Sequence, residues 1–220
     1  MNRKMKDFCK KKLEDRDYCR VIPYYKIFYP ITVLLGPNGC GKTTTLRKIE
    51  EDLKETEAVV ITYSTTNNDI VKVAGNPFNF RPESLISAFH SEGERMTDSF
   101  YDWEEKVMLP AILSNKYSNL YILIDEADSG LSLDNIYLHF EDIKFIINAE
   151  VNRGRKIHLI ISANSYELAS VFKGMDPGLV DYLWVPTEES ILLGSYNKYR
   201  KRYFEYYRRM NFDETGKRRS

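Results

Sequence analysis

Residues 36–43 read Gly36-Pro37-Asn38-Gly39-Cys40-Gly41-Lys42-Thr43, which fits G-x-x-x-x-G-K-[ST] without a mismatch. An apolar run, Pro30 to Leu35, precedes it and reads as a buried strand ended by Gly36. A helical pattern follows from Thr43 to Lys54, with Leu46, Ile49 and Leu53 on one face. Glycines at these positions let the backbone curl until successive N–H groups converge on phosphate. The helix then adds its positive N-terminal end. Gly36, Pro37, Asn38, Gly39, Cys40 and Gly41 form the cradle, and Cys40 fills a place that takes small residues. Lys42 is expected to bridge the β- and γ-phosphates, Thr43 to place its hydroxyl on Mg²⁺, and Thr44 to bond the α-phosphate. With residue frequencies of about one in twenty, a chance match is on the order of one in a few hundred for this length. The strand and helix on either side lower that further, so the chain is expected to bind a nucleotide with magnesium.

Strand and helix patterns alternate along the rest of the chain. Ala58–Tyr63, Leu120–Ile124, Lys156–Ser162, Tyr182–Val185 and Ser190–Leu193 read as strands. Pro82–Phe89, Ser99–Leu113 (interrupted near Pro110), Asp134–Glu150 and Asn197–Met210 read as helices, and 64–82 as loop. This predicts an α/β fold with a mainly parallel sheet flanked by helices, its chemistry at the C-terminal strand ends. The length suits one domain over residues 1–220. No apolar run approaches the roughly 20 residues of a membrane span. Cys9, Cys19 and Cys40 fit neither a disulfide framework nor a zinc spacing, and no apolar segment follows the basic N-terminus as in a secretory signal. A cytoplasmic location is expected.

Net charge is zero, but it is unevenly spread. Residues 1–20 hold eight Lys or Arg against four Asp or Glu, and residues 198–220 hold nine against three. The ends are basic and the middle acidic. From Tyr196 to Arg209 the basic residues interleave with aromatic ones, a pattern that suits phosphate contact and base stacking or, equally, a packed helix with solvated charges. The basic termini are therefore candidate contacts for DNA, RNA or protein.

Leu120 to Ile124 ends in Asp125-Glu126. A carboxylate at a strand tip suits an outer partner of Mg²⁺, bonded to the ion's own ligands beside Thr43, here Asp125. Glu126, one residue on, can act as general base or orient the attacking water.

The phosphate loop together with Asp125-Glu126-Ala127-Asp128-Ser129-Gly130-Leu131-Ser132 resembles the ATP-binding cassette (ABC) ATPases. The resemblance implies ATP sandwiched between two heads, so that the chain forms a homodimer through its nucleotide. It also implies a signature loop supplied by the opposite head, for which Ser91-Glu92-Gly93-Glu94 is the candidate. Ser91 and Gly93 would then contact the γ-phosphate. Asn164 stands where the family's switch histidine follows its strand; it can hydrogen-bond but carries no positive charge. No glutamine occurs in the chain, so the family's glutamine loop has no counterpart, and Ser64, Asn67 or Asn68 is left to face magnesium. These departures bear on the rate of hydrolysis. Tyr18, Tyr24 and Tyr25 are the candidates to stack on adenine, and His158 reads as packed inside its strand.

About 27 residues separate Ser64 from Ser91, little room for the helical lobe of a transporter subunit, and no heptad run supplies the coiled coil of chromosome-maintenance ATPases. What remains resembles a minimal, single-headed ABC ATPase, closer to RecF- and SMC-like heads than to transporter subunits. The alternatives are a nucleotide-dependent binding module with little turnover, a transporter ATPase subunit, and a kinase whose lid would carry Arg153 and Arg155.

Overall fold

A computed structural model describes residues 22, 27–64, 92–114, 117–129 and 131–211. Strand β1 is Ile31–Leu35, followed by α1 (Lys42–Leu53) and β2 (Val59–Ser64). Helix α2 (Glu92–Trp103) runs through a π-helical turn, Glu104–Met108, into α3 (Leu109–Leu113). Then come β3 (Asn119–Asp125), α4 (Leu133–Asn152), β4 (Lys156–Ala163), α5 (Tyr166–Val171), β5 (Val180–Trp184), β6 (Glu189–Ile191) and α6 (Tyr196–Asn211). The sheet has six strands in the order β2-β3-β4-β1-β5-β6. All neighbours pair in parallel except β5 and β6.

Alternation along the strands sends side chains to two apolar layers, as a sheet covered on both faces requires. Ile31, Val33 and Leu35, with Ile122, Ile124, Leu159 and Ile161, meet α4 and α5 through Phe140, Ile143, Ile147 and Leu168. Leu34, Leu123 and Ile160 face the other way and meet α1 through Leu46, Ile49 and Leu53. Each α1 anchor contributes about 1.5–3 kcal/mol by leaving water.

The expected strands are all present, displaced by one or two residues at their ends. Two helical readings need correction. The helix expected from Ser99 begins at Glu92, while its expected interruption near Pro110 is present as the π-helical turn Glu104–Met108. The amide of Leu109 reaches back to Glu104 O, five residues away, which widens the turn just ahead of a residue that has no N–H to give. That turn buries Glu104, whose Oε2 lies 3.0 Å from His139 Nδ1 on α4. Helix α5 was not expected; its six residues are too few for a periodic pattern, and the Ser165 side chain caps it by accepting from Leu168 N. The helix expected at 82–89 and the basic segment 1–20 lie outside the described residues.

Candidate active site

The five residues of β1 are buried, so the strand delivers the loop that follows at a fixed place on the sheet edge. Gly36 cannot be replaced there: φ is +147°, and a Cβ would come within 2.6 Å of Cys40 Sγ and 3.0 Å of Pro186 Cδ. Gly41 occupies the N-cap of α1 at φ +105°, without a side-chain cap, so the first amides of that helix keep their donors for another acceptor. Cys40 is buried beneath the loop and packs with Leu34 and Val185, as a small structural residue does. Lys42 is buried as well, its Nζ donating to Gly36 O at 2.7 Å and to Pro37 O at 3.2 Å. Burial holds its ammonium below the ordinary lysine pKa, while Cys40, Asp128, Glu126 and Asp125 pull it back up. A polyphosphate beside Nζ offsets the same desolvation.

Sheet order assembles the rest. Strand β4 lies between β1 and β3, with Leu34 opposite Ser162 and Leu35 opposite Ala163. Ser162 therefore stands between the phosphate-loop strand and the acidic strand. Its hydroxyl donates to Asp125 Oδ1 at 2.6 Å and accepts from Glu126 N at 2.7 Å. Thr43 Oγ1 donates to the same Asp125 oxygen at 3.2 Å. Glu126 sits at φ +52°, a left-handed conformation that costs a non-glycine residue on the order of 1–3 kcal/mol. Two bonds hold it there: the one from its amide to Ser162, and a turn in which Ser129 N donates to Glu126 O at 2.9 Å.

Two clefts open on this edge. One, of about 140 Å³, is lined by Asn38, Gly39, Gly41, Lys42, Thr43, Thr44 and Glu126. The acidic residue and the phosphate loop thus share one wall. The other, of about 270 Å³, includes Thr43, Asp125 and Ser64. Ser64 pairs in register with Asp125, which brings it to the side where a cation beside Thr43 would sit. Thr43 and Asp125 supply two hard oxygens, the usual protein share for magnesium when phosphate and water complete its shell.

Asn164 follows β4 directly. Its amide donates to both carboxylate oxygens of Asp128, at 3.2 and 3.1 Å, and Ser165 N donates to Asp128 Oδ2 at 2.5 Å. Its side-chain Oδ1 is buried with no hydrogen-bond partner among the described residues. Asp128 thus ties the stretch after Glu126 to the loop carrying Asn164. Sequence reading missed both Asp128 and Ser162, because each acts through a neighbour about 36 residues away.

Gly93 lies in the first turn of α2. Ser91, Asn67, Asn68, Gly130, Tyr18, Tyr24 and Tyr25 fall outside the described residues. His158 packs as expected: its ring stacks on Tyr121 at 4.6 Å, and Nδ1 lies 3.3 Å from Tyr29 O. The lid reading of Arg153 and Arg155 is overturned. Helix α4 starts at the site edge and runs the length of the sheet, so both arginines lie at the opposite edge. There Arg155 bonds Glu150, Ser114 O and Ile112 O.

Among curated proteins none matches the chain. A family model does: that of the AAA domain matches residues 29–172, about two thirds of the chain, from the approach to β1 through the end of α5. The match takes in the phosphate loop, Asp125-Glu126, Ser162 and Asn164. The chain belongs to the AAA domain family and is a P-loop nucleoside triphosphatase by fold.

Proposed function

We propose that the chain hydrolyses ATP with magnesium, and that two copies close over their nucleotides in the manner of ATP-binding cassette heads. One observation carries the hydrolytic part: Glu126 lines the same small cleft as Lys42, Thr43 and Thr44. The backbone of residues 36–41 cradles the phosphates, and Lys42 lies against the β- and γ-oxygens. Glu126 accepts a proton from water as the water oxygen bonds the γ-phosphorus. The bond to the bridging oxygen breaks, the leaving ADP takes the electron pair, and Lys42 offsets its charge. Asn164 orients water or the γ-phosphate through its side-chain amide. Thr43 and Asp125 would hold magnesium, which would supply neutralising charge to the phosphate oxygens. The choice of adenine rests on the cassette resemblance.

The two-copy cycle is supported by what surrounds the stretch after Glu126. Leu133, Tyr137 and Leu138, at the start of α4, are 55%, 44% and 62% exposed. An apolar patch beside a nucleotide cleft suits burial against a second head. In that arrangement the other copy supplies Ser91 and Gly93.

Glu126→Gln is expected to slow phosphate release by about 10²–10⁴-fold while retaining ATP, since general-base catalysis is worth that much. Light scattering after size exclusion should then show twice the monomer mass with ATP and magnesium. Lys42→Ala, and Leu138→Asp added to Glu126→Gln, should both stay monomeric. A Glu126→Gln protein that remains monomeric at saturating ATP would sink the two-copy cycle. A second reading, a binding module with little turnover, is favoured by Asn164, which cannot carry charge. Wild-type phosphate release no faster than that of Lys42→Ala would establish it.

A further inference from the structure

Helix α6 presents a surface that the nucleotide site does not use, and the family match ends before it. Tyr199, Tyr203 and Tyr206, spaced four and three apart, form its inward face. Tyr199 is buried, with its ring 6.3 Å from Trp184 and 5.7 Å from Tyr166. Tyr203 and Tyr206 are half-buried against the core. Lys198, Arg200, Lys201, Arg202, Arg208 and Arg209 are all exposed, against one acid, Glu205; of these, the Arg202 guanidinium turns back to lie 5.7 Å over the Trp184 ring. Glu205 lies 3.9 Å from Lys201. Aromatic rings stand among these charges: Tyr196, Phe204 and Tyr207 are 49%, 54% and 52% exposed. Tyr196, Arg200, Phe204 and Arg208 fall on one i, i+4 row, and the Arg200 guanidinium lies 5.2 Å over the Phe204 ring.

We propose that this row of α6 binds single-stranded nucleic acid, its arginines on phosphates and Phe204 and Tyr196 under unpaired bases. The chain is neutral overall with an acidic middle, so a polyanion is drawn to its basic ends, of which α6 is the one among the described residues. The exposed rings decide which polyanion: a base offers its π-face to a side chain only when unpaired. A membrane surface fits worse. An interfacial helix keeps its apolar face free for lipid, whereas the inward tyrosines of α6 are already packed on the protein.

The inference does not rest on hydrolysis, and its test uses the full chain without ATP. Fluorescence anisotropy with labelled oligothymidylate of about 20 nucleotides at about 50 mM salt should show saturable binding. Neutralising three phosphates would give a log–log salt slope of about −2. Phe204→Ala should weaken binding by about 5- to 150-fold, the range for one lost stacking partner, and Phe204→Trp should retain it. Arg200→Ala should make the salt slope shallower by about 0.7. A duplex of the same length and inorganic polyphosphate are the competing probes, and both should bind more weakly. Absence of binding to oligothymidylate at low salt would overturn the proposal. So would equal affinity for duplex or polyphosphate with no effect of Phe204→Ala, and so would binding only to vesicles containing phosphatidylserine.

Discussion

At the C-terminal ends of the strands Asp125 shares one carboxylate oxygen between Ser162 and Thr43, while at the N-terminal ends Glu150 gives its carboxylate to Arg155 and Arg153. Both carboxylates are buried, but Asp125 takes its bonds on Oδ1 alone, whereas both oxygens of Glu150 are bonded. The groups around them differ. At the far edge Arg155 spends its donors on Glu150, Ile112 O and Ser114 O, which closes the end of α3 and the start of β4 against α4. At the site edge capacity is left open: Asn164 Oδ1 has no partner among the described residues, Lys42 is buried on two carbonyls, and Glu126 is held at positive φ. A buried charge with every bond made serves the fold. Polar groups held short of satisfaction, beside a cleft, await a ligand.

The sharpest way to break this contrast is at the far edge. Arg155→Met leaves Glu150 Oε2 buried without its partner, with Arg153 holding only Oε1, and stranding such a buried polar group costs about 1–3 kcal/mol. Urea denaturation should show that loss, whereas nucleotide affinity measured on folded protein should stay within twofold of wild type. Glu150→Gln in the same background should recover part of the stability by removing the stranded charge. Nucleotide affinity falling in step with stability would mean that the two edges are not separable.

At the site edge the informative substitution is Ser162→Ala, which strips one bond from Asp125 and leaves Glu126 N without its acceptor. About 1–3 kcal/mol of stability should go, the cost of stranding a buried polar group. The telling readout is kinetic: turnover should fall at least tenfold, with affinity for ATP in the absence of magnesium unchanged. A loss confined to stability would reduce Ser162 to packing. This residue also marks where sequence reading stops. Residues 36–44 and the Asp125-Glu126 pair were legible because contiguous residues dictate the curl of a loop and the end of a buried strand. Ser162 was not, since its role exists only because β4 is inserted between β1 and β3, and no local pattern encodes sheet order. The same holds for Glu104 and His139, which meet across 35 positions, and for Arg155, whose neighbours in sequence suggested a lid while its neighbours in space made it a clamp. Strand positions came through almost intact, because a strand buried on both faces is a continuous apolar run, and that run is written in the chain itself.

The smallest effects separate the two edges by pH. Bonds from Arg155 and then Arg153 hold the Glu150 carboxyl below its ordinary value of 4.5, against the opposing effect of burial. Its contribution is therefore fully present above that pH and is lost as pH falls through the depressed folded value. His158 behaves as a base: burial keeps its ring below the ordinary 6.5, with Tyr29 O opposing and Lys156 adding to the shift. The unfolded chain thus takes up this proton first, so stability starts to fall as pH drops through 6.5, well before Glu150 titrates. A denaturation series from neutral to acid pH should accordingly fall in two stages. His158→Gln should flatten the upper stage and leave the lower one, while Glu150→Gln should do the reverse. An upper stage that survives His158→Gln would assign it to another group and remove His158 from the account of the fold's acid sensitivity.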